Sequence, residues 1–326
     1  MRCRALAAAF AALGWRHWFA VSRETAAPFA DSDAIIVPPG VDGARAVAEA
    51  GRANKVDCLV VDHYGLDATF ETAARGKAAT VLVIDDLADR PHDCDLLVDA
   101  NPERVAADYA GLTDRTTRFL LGPRYALLRA EFAGRRPAQV RPPRRQAERL
   151  LITLGGADPD NVSQRVLEAL RHLASAPRKT VLVVGPANLH GETLAALAPS
   201  LGVEIAVDPP DLAGLMLDAD LAISTGSTSF LELACLGVPA LIVVIAGNQR
   251  AIARAAENAG AALVLGESDH LEPRNLAAAI AALAADPGRR QRMSEAGRNL
   301  VDGRGAARVA DAVAKINSAQ SQEICS

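Results

Sequence analysis

The sequence has 326 residues, half of them hydrophobic, and a formal net charge of −4. This acidic balance argues against a nucleic-acid partner, and the sequence shows no apolar run long enough to span a bilayer. The length suits two domains, each large enough for its own core. The cysteines lack CxxC or metal-ligand spacing and indicate reduced thiols in a cytoplasmic protein. They are Cys3, Cys58, Cys94, Cys235 and Cys325.

Short apolar segments alternate with helical patterns in the first half of the chain. The predicted helices span residues 2–13, 44–52 and 69–75. The predicted strands span residues 18–21, 34–37, 57–62, 80–85 and 95–99. Alternating strands and helices of this length predict a parallel sheet covered on both faces.

A second α/β series begins at residue 150, with predicted strands at 150–154, 180–184, 203–207, 221–223, 240–245 and 262–265. Between the two series, residues 134–149 hold three prolines, six arginines and one acid. This composition favours a solvated interdomain linker over a binding patch. The predicted fold is therefore α/β, with two doubly wound, Rossmann-like domains at 1–133 and 150–326 facing a cleft.

The sequence STGSTSFLELACLGVPAL, which begins at Ser224, reads as the end of a strand, a small polar turn, a helix and a further strand. A turn of small residues at a helix start leaves backbone N–H groups uncovered, and the helix dipole adds positive potential there. Ser227 and Thr228 therefore predict a phosphate site. Glu232 lies one turn later, on a face that could reach a sugar hydroxyl. The alternative is an ordinary helix cap with a solvated glutamate.

Other turns are expected at the same cleft, because ligands of doubly wound sheets bind at the carboxyl ends of the strands. These are residues 62–65 of the first domain, Gly155-Gly156 and Asn248-Gln249. The two glycines permit close backbone approach, as a diphosphate requires. No DxD motif stands among these turns. We therefore expect backbone N–H groups, rather than a metal ion or another cofactor, to neutralise a bound diphosphate.

Several motifs carry a family resemblance. VVDHYGLD from Val60, VIDDLADRPHDCDLLVDANP from Val83 and LLGPRYALLRAEF from Leu120 resemble the hydrolase of pseudaminic acid biosynthesis, UDP-2,4-diacetamido-2,4,6-trideoxy-β-L-altropyranose hydrolase. In the second half, LITLGGADPDN from Leu151, the Ser224 stretch and the GNQ motif at Gly247 are similar to the same family. They also resemble, more loosely, the metal-independent glycosyltransferase that builds the lipid-linked peptidoglycan precursor.

This resemblance implies a glycosyltransferase-B-like fold and a cytoplasmic enzyme of surface or flagellar glycan synthesis. The implied reaction is attack of water on the anomeric carbon of a UDP-linked diacetamido sugar, with C–O cleavage, inversion and release of UDP. Tyr64 is implied as a substrate contact, and His63 is either catalytic or a structural imidazole. The implied nucleotide-sugar-binding residues, with Glu232 on the ribose, are Arg2, Asp62, Gly155, Gly156, Ser227, Thr228, Glu232, Asn248 and Gln249.

The start of the chain departs from the family pattern. The family's first strand leads into a G-x-G-H-x-x-R-C loop whose His is catalytic, whereas this sequence opens Met1-Arg2-Cys3. His17 is expected at the opposite end of the domain and is no substitute. We expect a longer natural product with a His three residues ahead of Arg2, and weak turnover without it. Two alternatives stay open: a UDP-sugar-dependent glycosyltransferase and a non-catalytic UDP-sugar-binding protein.

Overall fold

The computed structural model describes residues 1–23, 26, 29–30, 32–38, 40–50 and 56–324. The chain forms two units, one made of Met1–Ala130 together with Arg304–Ser326, the other of Glu131–Gly303. Among the described residues, no helix combines the length and the apolar character that crossing a membrane requires. The predicted helix end at Arg52 and the residue Cys325 lie outside the described part of the chain.

The first unit contains four helices and six parallel strands within its described residues. The helices are α1 (Arg2–Ala12), α2 (Gly40–Ala50), α3 (Ala68–Arg75) and the last helix of the chain, α12 (Gly305–Ile324). The strands are β1 (Phe19–Val21), β2 (Ala34–Ile36), β3 (Val56–Val61), β4 (Ala78–Ile84), β5 (Leu96–Asp99) and β6 (Arg118–Leu121). They form a two-stranded sheet, β1-β2, and a four-stranded sheet ordered β3-β4-β5-β6.

Both faces of the four-stranded sheet are covered, as a parallel sheet requires. Side chains alternate along β4, so that Leu82 packs with Phe10 of α1 and Val313 of α12 on one face. On the other face, Val81 packs with Phe70 of α3. The apolar run AATVLVI of β4 therefore serves two cores, which explains why it lacks the alternation of a half-exposed strand.

The second unit contains a single six-stranded sheet within its described residues. Its helices are α4 (Ala130–Arg135), α5 (Val162–Leu170), α6 (Gly191–Leu197), α7 (Leu212–Asp218), α8 (Thr228–Leu236), α9 (Arg250–Asn258), α10 (Pro273–Ala285) and α11 (Pro287–Leu300). Its strands are β7 (Arg149–Thr153), β8 (Lys179–Val184), β9 (Val203–Val207), β10 (Leu221–Thr225), β11 (Ala240–Val244) and β12 (Ala262–Glu267). All are parallel, in the order β12-β11-β10-β7-β8-β9.

The unit boundaries differ from the predicted ones in two places. Residues 304–326 belong to the first unit, because α12 buries Val309 and Val313 in its core. The predicted linker 134–149 belongs to the second unit. Its arginines hold it there: Arg136 donates to the carbonyl oxygens of Val301 and Arg298, and Arg141 donates to that of Ala219.

Candidate functional site

The strand order of the second unit defines a point at which the chain reverses its direction across the sheet. From β7 the chain proceeds outward through β8 and β9, and from β10 it proceeds outward through β11 and β12 on the other side. β7 and β10 are direct neighbours, with Ser224 opposite Thr153. In doubly wound folds, ligands bind at this switch point, at the carboxyl ends of the strands. The turns that follow β7 and β10 are therefore the candidate nucleotide site.

The turn after β10 ends in a capped helix start. Ser227 is the N-cap of α8, and its side chain accepts a hydrogen bond from the backbone N–H of Ser229, at 3.3 Å, while contacting Thr225 Oγ1 at 2.8 Å. α8 is buried along most of its length, so tertiary packing holds its first turn in place. Its N-terminal N–H groups and dipole suit a phosphate, as Ser227 and Thr228 predict.

Gly226 joins this turn to the segment that follows β11. A Cβ at Gly226 would lie 2.5 Å from the backbone oxygen of Gln249, closer than any real contact. Gln249 belongs to a 3₁₀ turn, Gly247–Gln249, and its Oε1 accepts a hydrogen bond from the backbone N–H of Ile245 at 3.1 Å. The structure thus brings the predicted residues Asn248 and Gln249 beside the helix start. The side-chain amide oxygen of Gln249 is already bonded to the backbone N–H of Ile245.

Glu232 lies on the second turn of α8, four residues after Thr228 and therefore on the same helix face. It is 8% exposed, in a helix whose other buried residues are apolar apart from a cysteine. Glu232 is thus a nearly buried acid one turn after a helix start that suits a phosphate. From this position we predict a contact with the ribose.

The turn after β7 is stiffly built and open on its outer side. Gly155 has a φ of +94°, which favours glycine, and a Cβ at Gly155 or Gly156 would meet no atom within 4 Å. The loop after β8 packs closely against this turn, because a Cβ at Gly185 would lie 2.3 Å from the Gly156 oxygen. Asp158 accepts hydrogen bonds from the backbone N–H groups of Val162 and Ser163 at 2.8 and 2.9 Å. A ligand could therefore approach the Gly155-Gly156 backbone closely.

Replacing Asp158 by alanine removes the cap of α5. We expect a loss of about 0.5–2 kcal/mol of stability, as for other cap deletions, and a thermal midpoint lower by a few degrees. The matched control is Asp160→Ala, because Asp160 is exposed two residues away. Differential scanning calorimetry that gives the two variants the same midpoint would refute the capping role.

In the first unit, four polar side chains meet at the carboxyl ends of β3 and β4. Asp62 directly follows β3, and Asp86 comes two residues after β4. The Arg2 guanidinium bridges them, with Nη2 2.5 Å from Asp62 Oδ1 and Nη1 2.9 Å from Asp86 Oδ2. The Tyr64 hydroxyl donates to Asp86 Oδ2 at 3.0 Å. We call Arg2, Asp62, Tyr64 and Asp86 the acidic cluster, because its formal charge is −1.

The charges of the acidic cluster stabilise one another. Burial alone would lower the pKa of the Arg2 guanidinium, but the carboxylates of Asp62 and Asp86 outweigh it and raise that pKa above its usual value. The same burial, together with Asp62, raises the pKa of the neighbouring Cys3 thiol to about 12. A net negative cluster repels a diphosphate and favours hydrogen-bond donors such as sugar hydroxyl and amide N–H groups.

The backbone of Asp86 is held by two side chains, Asn101 and Arg104, that the sequence analysis did not predict as site residues. Its carbonyl oxygen accepts hydrogen bonds from Asn101 Nδ2 at 2.9 Å and from Arg104 Nη2 at 3.0 Å. Arg104 is held in turn by the buried carboxylate of Asp99, which also contacts the Tyr109 hydroxyl at 3.0 Å. Burial raises the pKa of Asp99. This network gives the acidic cluster a rigid base.

The His63 side chain takes no part in the hydrogen bonds of the acidic cluster. Its side chain is exposed, and its Nδ1 accepts a hydrogen bond from the backbone N–H of Gly65 at 2.9 Å. This is the arrangement of a structural imidazole that shapes the turn. Tyr64 is 52% exposed and presents its hydroxyl toward Asp86, within the acidic cluster.

Comparison with solved structures shows the fold class. MurG from Acinetobacter baumannii aligns over 96% of this chain and 95% of its own, with a TM-score of 0.67 and 16% identity. The glycosyltransferase SsfS6 from Streptomyces sp. SF2575, solved with thymidine diphosphate, aligns over 98% and 96% with a TM-score of 0.62 and 17% identity. The chain therefore has the glycosyltransferase-B fold.

The family follows from the sequence of the second half of the chain. The glycosyltransferase family 28 C-terminal domain matches residues 149–313, half of the chain, and the protein belongs to this family. Spore coat polysaccharide biosynthesis protein SpsG of Bacillus subtilis is 31% identical over 59% of this chain. The UDP-2,4-diacetamido-2,4,6-trideoxy-beta-L-altropyranose hydrolase of Campylobacter jejuni is 29% identical over 36% of it. The chain spans 57% and 42% of the lengths of these two relatives.

Proposed function

We propose that the protein is a UDP-sugar hydrolase acting on a UDP-linked 2,4-diacetamido-2,4,6-trideoxy hexose. The observation that carries this proposal is the acidic cluster, because Asp62, Tyr64 and Asp86 fall in the motifs that resemble the hydrolase family. The partial similarity to the Campylobacter jejuni hydrolase supports it. Surface or flagellar glycan synthesis is the process that this substrate implies.

The second unit would hold the nucleotide. The diphosphate would lie against the N–H groups at the start of α8 and the Gly155-Gly156 backbone, and Glu232 would accept hydrogen bonds from the ribose hydroxyls. Asn248 and the Gln249 amide would contact the sugar or its phosphates. As the bond to the leaving group breaks, negative charge develops on the diphosphate, and donors already in place stabilise it without reorganisation.

The first unit would handle the sugar. Tyr64 and Asp62 offer hydrogen-bonding groups to hydroxyl or acetamido substituents, and Arg2 holds the two carboxylates in position. Water would attack the anomeric carbon on the face opposite UDP. A C–O bond forms, a proton of the attacking water is released to solvent, the C–O bond to the diphosphate breaks with its electron pair leaving on UDP, and the configuration inverts.

A glycosyltransferase is the second candidate, favoured by the family of the second unit. A UDP-N-acetylglucosamine–N-acetylmuramyl-(pentapeptide) pyrophosphoryl-undecaprenol N-acetylglucosamine transferase from Alkalilimnicola ehrlichii is 33% identical over 158 residues. Incubation with the UDP-sugar alone separates the two functions. A hydrolase releases UDP without an acceptor, whereas a transferase needs one.

UDP release is expected to need no divalent metal, because backbone N–H groups and the α8 dipole are the diphosphate partners in this proposal. UDP formation, followed by ³¹P NMR, should proceed at the same rate with excess EDTA and with added Mg²⁺. Loss of release in EDTA and its recovery with Mg²⁺ would contradict this expectation.

A further inference from the structure

The second unit contains a cavity of about 200 Å³ at the amino ends of β10 and β11, the edge of the sheet opposite the Ser227 turn. Asp220, just before β10, and Pro239, just before β11, line it, as do Leu236 and Gly237 at the end of α8. Residues of the predicted linker form another wall. The cavity thus shares no residue with the proposed nucleotide site.

Three guanidinium groups and one carboxylate surround this cavity. The Asp220 carboxylate has four polar partners. Its Oδ2 accepts hydrogen bonds from the backbone N–H groups of Glu148 and Arg149. Its Oδ1 lies 3.3 Å from the Arg144 guanidinium and 3.5 Å from that of Arg141. One carboxylate therefore faces several cations. The formal charge of the groups that line the cavity is +2.

Arg290 is the least exposed of these cations, at 1%. Its N–H groups donate to the backbone oxygens of Leu283, Ala284 and Arg144, and within the described residues no carboxylate forms an ion pair with it. Taking a charge out of water is costly unless an opposite charge compensates it. Burial accordingly lowers the pKa of Arg290. The carboxylates of Asp220 and Asp286 offset this effect only in part, and an anion bound in the cavity would add to their compensation.

Gln291, which also lines the cavity, has a side-chain oxygen that lacks a hydrogen-bond donor within the described part of the chain. Its Nε2 donates to Glu295 at 2.7 Å, whereas its Oε1 is buried and has no hydrogen-bond partner among the described residues. A buried acceptor without a donor is uncommon in folded proteins and points to a missing partner. The remaining wall includes the apolar side chains of Leu217 and Val238.

We propose that this cavity is a second binding site, for a small hydroxylated organic anion. Its carboxylate or phosphate group would lie against Arg141 and Arg144, near the charge of Arg290, and a hydroxyl group would donate to Gln291 Oε1 once that side chain turns toward the cavity. Arg141 and Arg144 are about half-exposed and can reach an entering anion. The anion would not displace UDP, because the Ser227 turn lies at the other edge of the same sheet.

Isothermal calorimetry with two probes, lactate and glycerol 3-phosphate, tests the site and distinguishes a carboxylate from a phosphate ligand. Binding of at least one probe is expected, with affinity about tenfold or more weaker in Arg141→Ala and in Arg144→Ala, as loss of a charge-assisted bond predicts. The control is Arg292→Ala, an exposed arginine of α11 that does not line the cavity.

All variants keep the Ser227 turn, so any probe bound there contributes equally and cancels in the comparison. Absence of binding by both probes, or equal affinity in wild type and all variants, would overturn the proposal. Loss, in the presence of saturating UDP, of the binding that depends on Arg141 and Arg144 would also overturn it. None of these readings requires the protein to hydrolyse a sugar nucleotide, so failure of the proposed function would leave the test intact.

Discussion

Replacing Glu232 by alanine should weaken UDP binding about ten- to a hundredfold. The buried carboxylate lies one turn inside α8, where the proposal assigns it to the ribose hydroxyls. Loss of a charge-assisted hydrogen bond costs roughly 1.5–3 kcal/mol, which corresponds to that range of affinity. Isothermal calorimetry with UDP measures the effect directly.

The matched control for this experiment is Glu204→Ala. Glu204 lies on β9, at the far edge of the same sheet and with its side chain 65% exposed, so its removal should leave UDP affinity unchanged. Thermal unfolding of both variants checks that the second unit stays folded. Wild-type affinity in a folded Glu232→Ala variant would sink the ribose assignment.

Removing the Tyr64 hydroxyl should impair turnover more than folding. The side chain is half-exposed, so Tyr64→Phe leaves no buried gap, and the thermal midpoint should stay within a few degrees. The hydroxyl donates to the Asp86 carboxylate and is proposed to contact the sugar. Loss of a hydrogen bond to a charged group predicts a decrease in kcat of roughly ten- to a hundredfold.

The control here is Tyr125→Phe, a tyrosine of the same unit that packs beside its core, away from the acidic cluster's bonds. Steady-state kinetics per folded molecule decides the outcome. A large loss of stability in Tyr64→Phe with unchanged kcat would show that Tyr64 is a structural residue.

The strands of the second unit could be predicted because each is a short apolar run bounded by polar or glycine-rich turns. β9 matches its prediction at both ends, β7 is shifted by one residue at each end, and β10 extends two residues beyond its predicted end. β6 was missed, since a four-residue strand that begins with an arginine has no periodicity to detect. Helix α6 has an equally weak signal in the sequence, because it has only seven residues and begins at a glycine.

The acidic cluster was only partly predictable. Asp62 and Tyr64 follow an obvious apolar strand, but their connection to Asp86 is a tertiary contact. Arg2 and Asp86 are 84 positions apart in sequence, and neither the hydrophobic pattern nor the turn residues predict that their side chains meet. Asp85 and Asp86 are adjacent in sequence, yet Asp85 is buried beneath and only Asp86 joins Tyr64.

The segment 134–149 shows why composition alone misleads about packing. Six arginines indicate a solvated linker, but two of them, Arg136 and Arg141, donate to carbonyl oxygens at helix ends. Backbone carbonyls at the last turn of a helix lack intrahelical donors, and a guanidinium can satisfy them. These carbonyl oxygens come together around the segment only when the unit folds, so the sequence of the segment does not show them.

The central claim, hydrolysis by water at the anomeric carbon, is tested most directly by isotope labelling. The UDP-linked diacetamido sugar is incubated with the protein in H₂¹⁸O without an acceptor, and the products are analysed by mass spectrometry. Hydrolysis with C–O cleavage predicts release of UDP with ¹⁸O in the sugar and none in UDP. Label in UDP, or UDP release only after an acceptor is added, would contradict the account.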